Sequence, residues 1–361
     1  MFLPSGPSHM SKPKRLNQTA IAKATGLSRA TVSLVLRGGT GPAEATRNKV
    51  YTAARRMGYQ PNELVHSIRS GKSRTIGVLV QPYDSYWRDV CYGIHDRLIE
   101  AGYLPMFLWN NDRPNNEEYG CEQIRRLLSR WVDGVILSPN FADLYASHLH
   151  EFQTRNIPLV IIDHMAAQGA ADSVGSDETQ IAALSVAHLR RLGHRQILIV
   201  SGPEGLGWAD KRANAIKAEV EKIEGGTPHL LRVPLEPLEP NEMPEIAQMI
   251  AAALRQKPEI TAVLAGTDRI AKSAYRAAQE LQWAVPGRLS ISGVADLNFS
   301  ALLTPSLTTV RQDGYAMGRQ ATQFVLERTA GLLTGAPRVA QIPVTLVERG
   351  STGPAASPHS R

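Results

Sequence analysis

Of the chain's 361 residues 20% are charged and 43% hydrophobic, which is globular rather than disordered composition. At roughly 100–200 residues per domain, the length sets an expectation of two or three domains. No stretch approaches the ~18 apolar residues of a membrane span, and Met1 to Met10 holds only the apolar pair Phe2-Leu3 with no basic flank. A cytoplasmic protein with neither membrane span nor signal peptide is therefore expected, and two cysteines, Cys91 and Cys121, without metal-ligand spacing fit a reducing compartment.

The net charge of +7 is unevenly placed. Residues 11–74 carry 13 Lys/Arg against only Glu44 and Glu63, whereas the chain after Arg74 carries 27 basic and 31 acidic residues. A basic head before a mildly acidic body points to a polyanion partner for the head, although a solvated basic face would carry the same charge.

The first 15 residues read as a flexible N-terminus, and residues 16–61 as a small all-α domain. Asn17 is placed to cap a short helix through Thr25, which Gly26 ends in a left-handed turn. Ser28 then caps a second helix to about Leu36. Ala22, Gly26, Val32 and Val35 fall where a helix-turn-helix needs a small residue, a φ > 0 turn and two core contacts. A third helix follows Gly41-Pro42, with Val50, Ala53, Ala54 and Met57 on one face and Gly58 as its stop. Such a unit lays its second helix in a DNA major groove, with Arg29 and Ala30 at base edges and Thr31, Ser33 and Arg37 near phosphates. With the capping Ser28, these form the expected DNA-facing set. The alternative, a helical hairpin that merely packs, does not use the surplus charge.

Residues 62–74 form a hinge and linker: Asn62 can cap about two helical turns that stop at Gly71, too short to be stable without a partner. Here the sequence becomes specific. The runs Ala22-Lys-Ala-Thr-Gly-Leu-Ser-Arg-Ala-Thr-Val-Ser33, Glu44-Ala-Thr-Arg47, Gly58-Tyr-Gln-Pro-Asn62 and Ile76-Gly-Val78 resemble the lactose/galactose-repressor family of bacterial transcription factors. The resemblance implies that this segment is a hinge helix. Ile68, beside Arg69, stands where the family inserts a leucine into the operator's minor groove, an apolar wedge able to kink DNA. Val65 departs from the family's usual alanine where paired hinge helices touch.

From Thr75 strand and helix alternate, with strands expected near 75–81, 104–109, 134–138 and 158–163, then near 196–201, 230–233, 261–265 and 289–294. Continuous apolar runs such as Pro158-Leu-Val-Ile-Ile162 fit strands buried on both faces of parallel sheets. The fold class is thus a helix-turn-helix head plus an α/β body of two doubly wound lobes. The resemblance extends through Gly134-Val-Ile-Leu137, His188-Leu189, Leu192-Gly-His-Arg195, Gly202-Pro203 and Pro305-Ser-Leu-Thr-Thr-Val310, and it implies the fold shared with periplasmic binding proteins over residues 75–350.

Ligands in such sheets sit beyond the carboxyl ends of the strands. The family's ligand positions correspond to Tyr86 and Trp87, Ser138, Asp163, Arg212, Asp268 and Gln312, with aromatic platforms, hydroxyl acceptors and an arginine fork as implied roles. Thr267 stands where asparagine is usual before Asp268, and Ala295 where an aspartate commonly binds effector hydroxyls. Losing that acid beside a retained Arg212 shifts the local balance positive and favours a sugar acid over a neutral sugar.

Competing chemistry is poorly supported. Gly71-Lys72-Ser73 lacks the earlier glycine of a phosphate loop, Gly202-Pro-Glu-Gly-Leu-Gly207 has the wrong spacing for a dinucleotide site, and no nucleophile elbow or zinc-protease motif appears. His148, His150, His188 and His194 read as structural, and no metal or cofactor is expected. An enzyme on these layers would need a base and a nucleophile facing one pocket; a transport binding protein would lack the basic head. The expected protein is a homodimeric repressor on a near-palindromic operator, controlled by a sugar or sugar derivative between the lobes, with corepression by the same parts as the alternative. The last segment, 351–361, reads as a flexible tail without the apolar heptads of a tetramer.

Overall fold

Asn17 opens the first helix: in extended backbone its Oδ1 accepts the Ala20 N–H at 3.0 Å. Helix α1 (Gln18–Thr25) ends at Gly26, whose φ of 67° a residue with a Cβ would resist. Ser28 accepts the Thr31 N–H at 3.0 Å and so starts α2 (Arg29–Leu36), and α3 (Glu44–Arg56) follows. Ile21, Ala22, Val32, Val35, Val50 and Ala54 form the buried core, with Ala53 and Met57 partly buried beside it. The Tyr51 hydroxyl donates to the Val35 carbonyl at 2.9 Å, fastening α3 to the end of α2.

The structure, a computed structural model, describes residues 17–36, 41–59, 71–81, 84–109, 117–138, 143–163, 171–234 and 244–356. The expected hinge helix with Val65, Ile68 and Arg69, and also Arg37, lie outside these. The chain divides into two units, Met1–Ser73 and Arg74–Arg361.

The second unit holds two parallel-sheet lobes. The first is built from β1 (Thr75–Val80), α4 (Ser85–Glu100), β2 (Leu104–Trp109), α5 (Glu117–Ser129), β3 (Gly134–Leu137), α6 (Asp143–Thr154), β4 (Leu159–Ile162) and β5 (Asp172–Ser176). The chain then enters the second lobe with α7 (Glu178–Arg191), β6 (Gln196–Ser201), α8 (Gly207–Glu221), β7 (Thr227–Arg232), α9 (Pro244–Gln256), β8 (Ala262–Ala265), α10 (Asp268–Glu280), β9 (Ser290–Ala295) and β10 (Thr308–Gln312). It returns through α11 (Gly314–Thr329) and β11 (Val339–Ile342), and crosses once more into β12 (Val344–Val347).

The sheet orders are β11-β5-β4-β3-β1-β2 and β12-β10-β9-β8-β6-β7, parallel except that β12 runs antiparallel to β10. In each lobe the order reverses beside the first strand, so the carboxyl ends of β1 and β3, and of β6 and β8, border a crevice. Strands β3, β4 and β8 are buried along their whole length, as helices on both faces require.

Three crossovers join the lobes at residues 177, 313 and 343. They are tied together: Gln312 Nε2 donates to Ser176 Oγ at 2.7 Å, Asp177 donates its N–H to the Ile342 carbonyl at 3.3 Å, and the Val344 N–H reaches Gln180 Oε1 at 2.8 Å. Asp177 and Asp313 also cap α7 and α11. Helix α11 lies so close on α4 that a Cβ at Gly93 would stand 2.1 Å from the Tyr315 carbonyl oxygen, and one at Gly318 2.2 Å from that of Val90. Arg328 and Arg338 both hold the buried Asp172 carboxylate, at 2.8 and 2.9 Å, fixing α11 and β11 to the start of β5.

The tail departs from expectation. Ser351 is fully buried, donating to the Ile291 carbonyl at 2.6 Å and accepting the Thr308 N–H at 2.8 Å, and the Ala355 N–H reaches the Leu192 carbonyl. His188 and His194 bind this segment through Thr352 Oγ1 and the Gly353 carbonyl, so the body continues to residue 356. Composition missed this because small polar residues order when each hydroxyl finds a buried partner.

Candidate functional site

In the head, Ser28, Arg29 and Ala30 lie exposed at the start of α2, with Thr31 and Ser33 half-buried, while Val32 and Val35 face the core. Helical periodicity thus turns Ser28, Arg29 and Ala30 outward, together with Leu34, and places Ser28 Oγ 2.9 Å from Thr31 Oγ1.

In the body, the first turn of α4 follows β1 and is capped by Asp84, which accepts the Trp87 N–H at 3.0 Å. This brings Tyr86 to the end of β4, where its hydroxyl donates to Asp163 Oδ1 at 2.7 Å. Asp163 follows β4 in left-handed backbone, φ 62°, fixed by its N–H to the Val174 carbonyl. Burial lifts the Asp163 carboxyl to about 7, against the pull of the Tyr86 hydrogen bond and the Arg212 charge. Burial also lifts Asp84, with Arg269 opposing, and pushes Tyr86 well above the ordinary phenol range.

Trp87 does not offer an open platform. It is buried in the first lobe's core with its ring edge-on to Tyr86, centroids 5.5 Å apart. Ser138, fully buried at the end of β3, leaves its Oγ without a hydrogen-bond partner among the described residues.

From the second lobe Arg212 comes off α8, buried, with Nε and Nη2 each 2.7 Å from one Glu178 oxygen and Nη1 2.7 Å from the Gly266 carbonyl oxygen. Its guanidinium carbon stands 5.2 Å from the Trp208 ring centre. Burial opposes the arginine's charge, but the Glu178 carboxylate outweighs this and holds it cationic. The Arg212 charge is felt by both Asp163 and Tyr86 of the other lobe.

The remaining expected ligand positions have structural work. Thr267 caps α10, accepting the Ile270 N–H. Asp268 is fully buried and accepts from the Leu297 N–H, Ser300 Oγ and Thr309 Oγ1 at 2.8, 2.6 and 2.6 Å, shaping the loop after β9. Gln312 belongs to the crossover. Ala295, at φ 118°, packs with Leu297 and Phe299 against the first lobe's apolar cluster, and the Asn298 N–H donates to Ser85 Oγ at 3.1 Å.

Sequence reasoning missed Glu178, which alters the site's charge. The surplus positive balance expected beside Arg212 is absent, because the guanidinium already holds a carboxylate. The signal was the acid pair Asp177-Glu178 at the start of a helix, hidden because the preceding β5, Asp172-Ser-Val-Gly-Ser176, does not read as a strand.

A helix-turn-helix unit joined to two doubly wound lobes, with charged and hydroxyl side chains converging where their strands end, defines a ligand-responsive DNA-binding regulator as a class. A family model for bacterial regulatory proteins, lacI family, matches residues 19–62, and one for a periplasmic binding protein-like domain matches residues 186–352. The HTH-type transcriptional regulator MalR of Streptomyces coelicolor is 30% identical over 352 residues, spanning 94% of this chain and 98% of the relative. The chain belongs to the lacI family of bacterial transcriptional regulators. Its fold is shared with the lac repressor dimer bound to operator and an anti-inducer, at TM-score 0.81 and 24% identity, covering 94% of this chain and 100% of the other. A lacI-family regulator from Enterococcus faecium with bound ribose matches at TM-score 0.64 and 25% identity, over 78% of this chain and 99% of the other.

Proposed function

We propose that the chain is a homodimeric transcriptional repressor whose affinity for a two-fold operator is set by a small hydroxyl-rich effector bound between the lobes. The carrying observation is that the hydrogen-bonded Tyr86 and Asp163 of one lobe lie within electrostatic reach of the paired Arg212 and Glu178 of the other. A ligand bridging these groups ties the lobes together and changes the angle at the three crossovers. A two-state angle biased by differential binding is a sufficient switch.

The exposed residues of α2 supply direct base contacts, with Arg29 as the guanine reader. Arg37, Ile68 and Arg69 complete the DNA-facing set, Ile68 as the minor-groove wedge, and an effector acts by separating the paired hinge segments. Ser138, with its unpartnered hydroxyl, is the effector contact on β3. The ribose held by the Enterococcus faecium regulator supports a sugar as the effector class. Regulation rather than catalysis, carried out in the cytoplasm, is consistent with relatives that are transcriptional regulators and with the described residues, which include no helix long and apolar enough to cross a membrane.

The test is a melting screen of ribose, glucose, maltose and related polyols, paired with anisotropy of a labelled DNA fragment from the chain's own promoter. At a hundredfold excess over Kd the effector adds about 2.7 kcal/mol of stability, and it changes operator affinity in the same concentration range. Asp163→Ala abolishes both effects. If no sugar or polyol moves either reading, the proposal is wrong.

A further inference from the structure

Arg212 belongs to the second lobe, its charge is felt by Asp163, and it is not available as a bare positive charge. Both oxygens of Glu178 are spent on it in a parallel two-point pair, and both side chains are largely withdrawn from water, at 5% and 19% exposure. Glu178 occupies, within the chain, the place a ligand carboxylate or phosphate would take on a guanidinium fork. Its position is set by the backbone, since it is the first residue of α7 after the Asp177 cap at a lobe crossover. Lys211, which also feels Glu178, is exposed at the neighbouring helix position, on a different face from Arg212.

We propose that Glu178 is a specificity-determining residue that makes the cleft accept uncharged hydroxyl-rich effectors and reject carboxylate- or phosphate-bearing ones. This rests on the effector reading above and names its ligand class. An acid entering the cleft would meet the Glu178 carboxylate already seated on the Arg212 guanidinium. It would have to displace Glu178 or lie beside it as a like charge. A neutral sugar faces neither cost, because the guanidinium retains N–H groups beyond the three engaged by Glu178 and Gly266, and these donate to hydroxyls. Discrimination of this kind comes from the repulsive element as much as the attractive one.

The experiment compares the full-length wild type with Glu178→Gln, which keeps one acceptor oxygen and removes the charge. Melting and calorimetric titration use acetate, gluconate and glucuronate as acid probes at fixed ionic strength, with glucose and ribose alongside. The wild type shows no shift with the acids. Glu178→Gln gains binding to at least one of them, tighter by about tenfold or more, and Glu178→Gln combined with Arg212→Gln loses that gain. Acid binding by the wild type equal to that of the variant, or no gain in a folded variant, overturns the proposal. If Glu178→Gln is too unstable to titrate, the acids restore its melting transition by replacing the missing carboxylate, and failure of all three to do so also overturns it. The glucose and ribose arms are independent: no response there counts against the effector reading and leaves the acid comparison to decide the role of Glu178.

Discussion

Tyr86 and Asp163, 77 positions apart in sequence, share a 2.7 Å hydrogen bond that joins the first turn of α4 to the end of β4. The carboxylate it serves is lifted to about 7 by burial, so the native state holds a proton that the unfolded chain, with its carboxyl near 3.8, releases.

The sign follows from linkage. A carboxyl whose folded pKa is raised contributes stability that is full below about pH 4 and gone above about pH 7, so this residue makes the protein less stable as pH rises through that window. Asp163→Asn is expected to remove the decline. Plotted against pH, the stability difference in favour of the variant grows from pH 4 to 7 with a slope of at most about 1.4 kcal/mol per unit. Parallel curves for wild type and variant would place the Asp163 carboxyl at its ordinary value.

Asp268→Asn tests whether this residue serves the ligand or the fold. Replacing one acceptor oxygen by an NH2 group that faces donors from Leu297, Ser300 and Thr309 is expected to cost about 1–3 kcal/mol in the absence of any sugar. Chemical denaturation of the unliganded protein measures it. An unchanged midpoint together with lost effector binding would return Asp268 to the ligand set.

The glycine seam between α4 and α11 predicts a size limit. Gly93→Ala sets a methyl against the Tyr315 carbonyl, which backbone on backbone cannot relieve, and is expected to destabilise the body by about 1–3 kcal/mol or more. Gly335→Ala, with open space around the added carbon, serves as the control and leaves the melting temperature within a degree or so. Equal melting of the two variants would mean that the helices are not in close contact.

Arg29→Ala is expected to weaken operator binding by about 1–3 kcal/mol while leaving random-sequence DNA nearly unaffected, since one two-point base contact carries that much discrimination. Anisotropy titrations at one salt concentration on both DNAs measure it. Equal losses would reassign Arg29 to a phosphate.

The three head helices could be read locally because their information is local. Asn17, Ser28 and Gly26 act within a turn of where they stand, and Val32 and Val35 are set on one face by helical spacing alone. The long apolar strands were legible for the same reason: β1, β3, β4, β6, β8 and β9 carry their burial in their own composition. Strand β5 was not, because Asp172-Ser-Val-Gly-Ser176 is buried by neighbours distant in sequence, with the Asp172 carboxylate answered by Arg328 and Arg338.

The sequence by itself determined the class of protein and the division near Arg74; what it lacked was pairing. Only the tertiary structure decided that Glu178 lies on Arg212, that Trp87 packs instead of facing ligand, that Asp268 is spent on a loop, and that the tail from Ser351 is anchored. A side chain's charge belongs to the sequence, but whether that charge is free depends on what long-range packing sets against it in a medium too dry for water to screen.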